Sequence, residues 1–286
     1  MKYTMPETFN AYNKDGSNNR SVITDTDSTY LRLDDFIDQS QSHEDRLACL
    51  LALSDGPLTR LYEEAAAAFM KKYKTMKPLV MDRETISVDG IAVKAKKMYA
   101  VTVDYQETTR HDPPELKVTG LGAKKAIMGN DVRTWLKEFY VMLIKGESQE
   151  SFNAFAKAKF ELYKKLPLSE VCNNISMNTY IKPGAKSPAI DGAKYFNKIA
   201  EREGIGIRVT NGKVMQFFII PSAATEYNET ISVTSDKQAL EILERFADHI
   251  DYKRQFEHQF IADAEMMAAI RRMTITTKDQ ALDWLV

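Results

Sequence analysis

Ser21-Val22-Ile23-Thr24-Asp25-Thr26-Asp27-Ser28-Thr29-Tyr30-Leu31-Arg32-Leu33 is the stretch around which the chain is organised. Apolar residues run up to an Asp-Thr-Asp-Ser corner and resume beyond it as Tyr30, Leu31 and Leu33. This pattern predicts a β-hairpin with two carboxylates at its tip. A tight turn is a rigid mount, and carboxylates one residue apart on it can reach a common hard cation such as Mg²⁺. The same residues also suit a plain solvated turn, because Asp and Ser bond their own backbone there.

Outward from the hairpin, composition sets the bounds. The 286 residues, 44% hydrophobic and 28% charged, suffice for one large or two ordinary domains with real cores. No run approaches the ~18 apolar residues of a membrane span, and the polar N-terminus does not read as a signal peptide. Cys49 and Cys172 lie far apart in apolar or neutral surroundings, which suits buried thiols in a reducing, cytoplasmic compartment better than a disulfide or a metal site. The four histidines form no ligand cluster. A net charge of −1 does not announce a nucleic-acid binder. Local patches nevertheless set phosphate affinity, and lysines concentrate at Lys94, Lys96 and Lys97, at Lys124 and Lys125, and along Lys157, Lys159, Lys164 and Lys165. The last group also reads as ordinary solvated helix faces.

Residues 7–13 read as the end of a helix. Residues 44–53 predict a short apolar helix stopped by Ser54-Asp55-Gly56, with Pro57 starting another at its favoured first position. In that second helix Leu58, Leu61, Tyr62, Ala65, Phe69 and Tyr73 recur at three and four, predicting a core face. Residues 79–87 and 96–105 alternate as strands, with Tyr99, Val101 and Val103 on one face. Asp112-Pro113-Pro114 marks a break, after which the chain becomes mainly helical. Residues 131–145 carry Val132, Trp135, Leu136, Phe139 and Leu143 on one stripe, and residues 149–165 carry Phe152, Phe155, Phe160 and Tyr163 on another. Residues 173–192 read as irregular, followed by a helix at 193–203. Gly212 reads as the turn of a hairpin whose second strand is 214–220, and helices near 236–250 and 252–272 complete the pattern.

Asp25-Thr26-Asp27-Ser28 between two short strands resembles the palm metal motif of family B DNA polymerases. Three further segments are similar to those of the T-even phage type, and in the same order. Met81-Asp82-Arg83-Glu84-Thr85-Ile86-Ser87 resembles "MDRE-A-I-S". Lys94-Ala95-Lys96-Lys97-Met98-Tyr99-Ala100 resembles the primer-gripping "KAKKRYA". Glu115-Leu116-Lys117-Val118-Thr119-Gly120-Leu121 resembles the "xLKIMGL" that opens the thumb. The family's "DxxSLYP" strand, "KxxxNSxYG" fingers helix and Asp-x-Glu exonuclease motif are not found in these residues. The resemblance therefore implies the C-terminal piece of a split polymerase with an α+β fold. It would comprise half a palm over residues 1–112 (antiparallel sheet with packed helices), a mainly helical thumb over 113–275, and a clamp-binding tail over 276–286.

The same resemblance implies the chemistry. Asp27 would be this chain's direct ligand in a two-Mg²⁺ nucleotidyl-transfer site, with Asp25 its neighbour and Glu84 close by; Glu84 equally suits a structural salt bridge. The remaining carboxylate would come from an N-terminal partner fragment bearing the exonuclease, fingers and rest of the palm, docked along the strands at 21–33 and 79–105. Lys97 and Tyr99 would reach the primer's minor groove, and Lys94, Lys96 and Lys117 would add phosphate or groove contacts. Primer–template DNA, dNTP and a sliding clamp would be the other partners, with no membrane, in the cytoplasm of an infected bacterium. The family's Gly before the first aspartate is Thr24 here, the Arg of "KKRY" is Met98, and Gly120-Leu121-Gly122 lacks the acidic residue of "GLE". "GxKCPFHIRG" survives only as Gly184-Ala185-Lys186-Ser187-Pro188. A non-catalytic module that binds primer–template or tethers a replisome is the competing expectation.

The tail closes with Gln280, Leu282, Trp284, Leu285 and Val286, which resembles clamp-binding peptides; a tail folded back on the thumb is the alternative. Apolar anchors with one aromatic suit docking into a pocket. Deleting 280–286 is expected to leave distributive synthesis on short primers unchanged while removing clamp stimulation on long templates. A primer-extension assay with and without clamp measures it, and full clamp stimulation of the truncated protein would make the tail structural.

Overall fold

A computed structural model of the chain describes residues 21–24, 29–74, 80, 82–93, 97–178 and 186–273. The expected helix end at 7–13 and the tail at 276–286 lie outside them. The fold is α+β with antiparallel sheets, and the chain divides into two compact units, Met1–Thr119 and Gly120–Val286.

In the first unit the expected hairpin strands pair. Strand β1 (Ser21–Thr24) pairs antiparallel with β2 (Thr29–Leu31), with Thr24 opposite Thr29 and Ile23 opposite Tyr30. Thr24 is thus a strand residue, a setting that suits a β-branched side chain. Helix α1 (His43–Leu53) starts where Ser42 accepts the Asp45 N–H at 3.2 Å, with Glu44 and Asp45 on its positive end. Its Leu47, Leu50 and Leu53 are buried.

The expected stop at Ser54-Asp55-Gly56 is not there. A π-turn over Ser54–Leu58 carries Pro57 and runs directly into α2 (Thr59–Tyr73). The widened turn lets the Thr59 N–H reach the Ser54 carbonyl, which the Thr59 hydroxyl also meets at 2.8 Å. The backbone therefore passes a proline without breaking. The expected core face of α2 is also not a core. Leu58 is buried and Tyr62 packs partly against Leu33, Leu47, Leu50 and Ile86. No α2 residue is buried, however, and Phe69 and Tyr73 are 45% and 56% exposed. Periodicity reports which face is apolar; it does not say what covers it.

Four strands build the main sheet: β3 (Thr85–Ile86), β4 (Asp89–Ala92), β5 (Tyr99–Gln106) and β6 (Thr109–Thr119). Central β5 is flanked by β3 and β4 on one edge and β6 on the other, all antiparallel. The expected break at Asp112-Pro113-Pro114 lies inside β6. Pairing lapses between Val103 and Tyr105 and resumes as Glu115 opposite Val103, so the prolines sit where the ladder asks no N–H of them. The first compact unit runs to Thr119, the end of β6.

The second unit has a helical and a sheet part. Helices α3 (Asn130–Lys145) and α4 (Gln149–Tyr163) bury the expected stripes apart from the half-buried Phe155, and Gly146, at φ 76°, ends α3 in the left-handed conformation. After α5 (Leu168–Val171), the region expected to be irregular supplies β7 (Asn173–Met177) and the start of α6 (Pro188–Arg202), which Ser187 caps. Gly212 is not a hairpin turn. It opens β8 (Gly212–Phe218), which pairs back to β7 and forward to β9 (Thr230–Val233). Pairing of such separation is invisible to local turn signals. Gly192 of α6 lies so close to β9 that a Cβ there would meet the Ser232 Oγ at 2.6 Å and the Ile231 carbonyl carbon at 2.8 Å. Helix α7 (Lys237–Glu244) follows. Then α8 (Tyr252–Phe256), a π-turn at Glu257–Ile261 and α9 (Ala262–Ala268) form one rod. Its Phe256 and Phe260 meet Phe160 at 5.3 Å and Phe139 at 6.0 Å.

Cys172 is fully buried at the entry to β7. Burial first, and the Glu170 charge second, push its thiol up to about 12. Because the thiolate is the reactive form, iodoacetamide at about pH 8 should leave Cys172 unmodified in the native protein and alkylate it in concentrated urea. Peptide mass spectrometry reads the difference. Rapid native modification would contradict the packing around β7.

Candidate nucleic-acid interface

The hairpin's four-residue connection contains Asp25 and Asp27, which lie outside the described residues; its mount is described. Tyr30, the second residue of β2, sits against Tyr99, the first of β5, with ring centroids 5.2 Å apart and a 49° tilt. The Tyr99 hydroxyl donates to the Tyr30 oxygen at 3.3 Å. The Lys117 Nζ lies over the Tyr30 ring, 5.9 Å from its centroid. Strand register explains the meeting. Lys117 on β6 is paired with Val101 on β5, two residues beyond Tyr99, so their side chains share one face of the sheet.

The electrostatics favour a fixed cation. Burial opposes the charge on Lys117, but the hydrogen bond to Tyr30 and the fields of Tyr30, Tyr99 and Glu84 outweigh it and raise the pKa. Tyr30 is raised as well, by burial and then by the bond from Tyr99, against the opposing pull of Lys117. At neutral pH the cluster is therefore an ammonium held against neutral phenols.

The other expected site residues are more scattered. Lys97 lies in the reversal between β4 and β5, left-handed at φ 57°, where the Val93 N–H bonds the Met98 carbonyl at 3.0 Å. Lys94 and Lys96 lie outside the described residues, as do Gln280, Leu282, Trp284 and Leu285. Glu84 is exposed, just before β3 and at the opposite end of β5 from Tyr99; its carbonyl accepts the Glu107 N–H at 2.7 Å. Its neighbour Arg83 does the structural pairing. That guanidinium bonds Asp55 at 2.9 Å and the Glu107 carbonyl at 2.8 Å. The structure thus brings Tyr99 and Lys117 together, with Glu84 farther along the strand but near enough for its charge to act on Lys117.

Two features escape a linear reading. Tyr30 reads there only as an apolar strand residue, yet it is the hub. The second is Asp104, whose side chain is 2% exposed. It accepts the Val88 N–H at 2.8 Å and bonds the His43 Nε2 at 2.6 Å. Asp89 adds its carboxylate 3.6 Å from the His43 Nδ1 and takes Arg46 at 3.1 Å. A carboxylate inside the otherwise apolar β5 run is the signal that was available, since such a group requires a buried partner.

In the second unit several lysines are already engaged. Lys159 pairs with Glu138 at 2.6 Å and lies over the Trp135 and Phe155 rings. Lys164 pairs with Glu161 at 2.8 Å. Both fit the solvated-face reading of that group. A shallow depression at the start of α6 carries Lys186 and Arg254 together with Asp191 and Glu229, a mixture of signs that does not select an anion.

Among the described residues no group of three or more His, Cys, Asp or Glu side chains is arranged to hold a metal ion. No described helix is long and apolar enough to cross a membrane. No known protein-family profile matches the chain, and no curated protein matches it.

Asp104→Ala would strip the buried Val88 N–H of its acceptor and His43 of its partner. Unsatisfied buried groups cost about 1–3 kcal/mol each, so a loss of about 2–4 kcal/mol is expected by urea unfolding. His43→Ala, which leaves the Val88 bond intact, should cost roughly half as much. Equal, small losses for both would remove Asp104 from its anchoring role.

Proposed function

We propose that this chain is the C-terminal subunit of a split family B DNA polymerase, its first unit half of the palm and its second the thumb. The observation that carries the reading is the Tyr30–Tyr99–Lys117 association. Tyr99 and Lys117 come from two separate segments that resemble the family's primer-gripping and thumb-opening motifs. They converge on the strand that leaves the Asp25–Asp27 turn.

The donor set suits Mg²⁺, which takes one or two protein carboxylates and completes its shell with water and substrate phosphates. Two such ions, when bound, would activate the primer 3′-oxygen and stabilise charge on the triphosphate. Asp27 would ligate directly and Asp25 would tune the field from the neighbouring position. A further carboxylate would come from the segment carrying "DxxSLYP", outside these 286 residues. Lys117, and Lys97 at the adjacent reversal, would hold the primer duplex through phosphate or groove acceptors, so that affinity falls with salt. Support for a partner polypeptide comes from α2, whose apolar Leu61, Phe69 and Tyr73 are exposed. That surface lies on a helix, whereas the sequence led to an interface along the strands. The sliding clamp and a bacterial cytoplasm complete the proposal.

Thr24 in place of the family's Gly favours the second reading, a non-catalytic duplex-binding module. Primer extension separates the two. The chain alone is expected to be inactive and to gain templated extension on mixing with a polypeptide bearing the "DxxSLYP" and "KxxxNSxYG" segments. Asp27→Asn should then lower the rate roughly a hundredfold or more, with primer–template affinity held within about twofold; Asp25→Asn should be milder. Failure of the mixture to extend would overturn the proposal. Near-normal rates with Asp27→Asn would remove the metal assignment.

A further inference from the structure

The loop at 222–228, between β8 and β9, holds two consecutive residues in the left-handed region. Glu226 and Tyr227 stand at φ 49° and 58°, a conformation that a bulky side chain seldom adopts. Their surroundings impose it. The buried Thr225 hydroxyl donates to the Ile220 carbonyl at 3.0 Å and accepts the Ser222 N–H at 2.8 Å. The Tyr227 N–H bonds the Ser222 carbonyl at 2.8 Å. The Asn228 amide donates to the Thr225 and Glu226 carbonyls at 3.0 and 3.2 Å. The Glu226 carboxylate takes Lys198 at 2.6 Å and Arg202 at 2.7 Å. The loop is thus heavily restrained, yet Tyr227 itself is 74% exposed. Strain that displays a ring to solvent points to a use for the ring outside the core.

Tyr227 lines a cavity of about 420 Å³, a volume in the range of small-ligand sites. Lys186 and Arg254 supply donors to the same cavity, and Asp191 and Glu229 supply acceptors. Arg254 is held in place, bonded to Glu229 at 3.0 Å and 4.4 Å from the Phe218 ring centroid. Two cations against two carboxylates leave no net charge with which to prefer a phosphate. An apolar side chain would desolvate these four groups without replacing their hydrogen bonds. A nucleobase meets both conditions, since its face stacks on an aromatic ring and its edge carries donors and acceptors. We propose that this cavity binds one unpaired nucleobase, stacked on Tyr227 with its edge toward Arg254, Lys186, Asp191 and Glu229. The inference stands on the second unit alone and needs neither the metal site nor the duplex contacts proposed above.

The test is fluorescence anisotropy with the full chain and two labelled probes of equal length, a single-stranded oligothymidylate and the same backbone made abasic. The base-bearing strand should bind about tenfold more tightly than the abasic one. Tyr227→Gly removes the ring and suits the left-handed backbone, so it should raise the urea midpoint while erasing that advantage. Tyr227→Phe keeps the ring and should bind within about twofold of the wild type. Neither substitution should change affinity for the abasic strand. A titration with free thymidine separates the sources of the base. Saturable binding that Tyr227→Gly abolishes would show that the base alone suffices, and no binding would show that the strand must carry it. Equal affinity of the wild type for the two strands, or no binding of either, would overturn the proposal and leave the duplex reading standing. Base preference retained by Tyr227→Gly would also overturn it. A lowered urea midpoint for that variant would assign the ring to the fold instead.

Discussion

The carboxylate of Asp104 is the constraint on which the first unit depends. It is almost completely buried in the central strand, where an unpaired charge would not survive. Two elements are therefore drawn to it. The Val88 N–H comes from the jog between β3 and β4, and the His43 ring comes from the first turn of α1. The jog divides the edge of β5 between two short strands. The His43 contact seats α1 on the sheet, where Leu47, Leu50 and Ile86 close a small core with Leu33 and Leu58. Hydrophobic burial supplies most of the driving force but little direction. The hydrogen bonds of Asp104 decide which helix end meets which strand.

The second unit relies on uncharged amides for the same purpose. Gln259 donates to the Val171 and Cys172 carbonyls, both at 2.8 Å, and to the Asn173 side chain at 3.0 Å. Gln255 donates to Val171 at 2.9 Å and accepts the Phe218 N–H at 3.0 Å. Two side chains one helical turn apart thus satisfy the backbone at the start of β7 and in β8, where the ladder alone leaves groups unpaired. Around them Phe256 and Phe260 stack at 5.0 Å, and Tyr163 meets Phe256 at 5.2 Å. An amide carries less desolvation cost than a charge, which suits a core this rich in aromatic rings.

Around the hairpin the two kinds of requirement meet. A catalytic or binding turn works only if its mount is rigid and its cations are held in place. The hairpin is a two-stranded sheet of its own, and isolated hairpins are marginal in water. Tyr30 supplies support by packing on Tyr99, with the Lys117 ammonium nearby. The uncovered apolar side of α2 has the opposite character. Leu61, Phe69 and Tyr73 leave it an exposed apolar surface.

Much of this was legible in the linear sequence. The hairpin at 21–33 followed from apolar runs meeting at an Asp-rich corner, and α3 and α4 followed from stripes repeating every three or four residues. What failed was of another kind. The start of α6 was not legible: the helix begins at Pro188, capped by Ser187, five residues before the expected 193. Ser54-Asp55-Gly56 read as a stop and Pro57 as a new helix start because local propensity does not register a π-turn that the surrounding packing stabilises. Pro113 and Pro114 read as a break because nothing local says that a partner strand will ask no N–H of them. The β7–β8–β9 sheet was hidden by the distance between its strands. The convergence of Tyr30, Tyr99 and Lys117 lay in no pattern at all, since it depends on pairing registers fixed only once β5 and β6 lie side by side. Sequence alone determined which residues are apolar, which can cap and which can carry charge, because those are properties of side chains and near neighbours. Tertiary structure alone decided which of them meet, because that depends on the register and packing of segments distant in the chain.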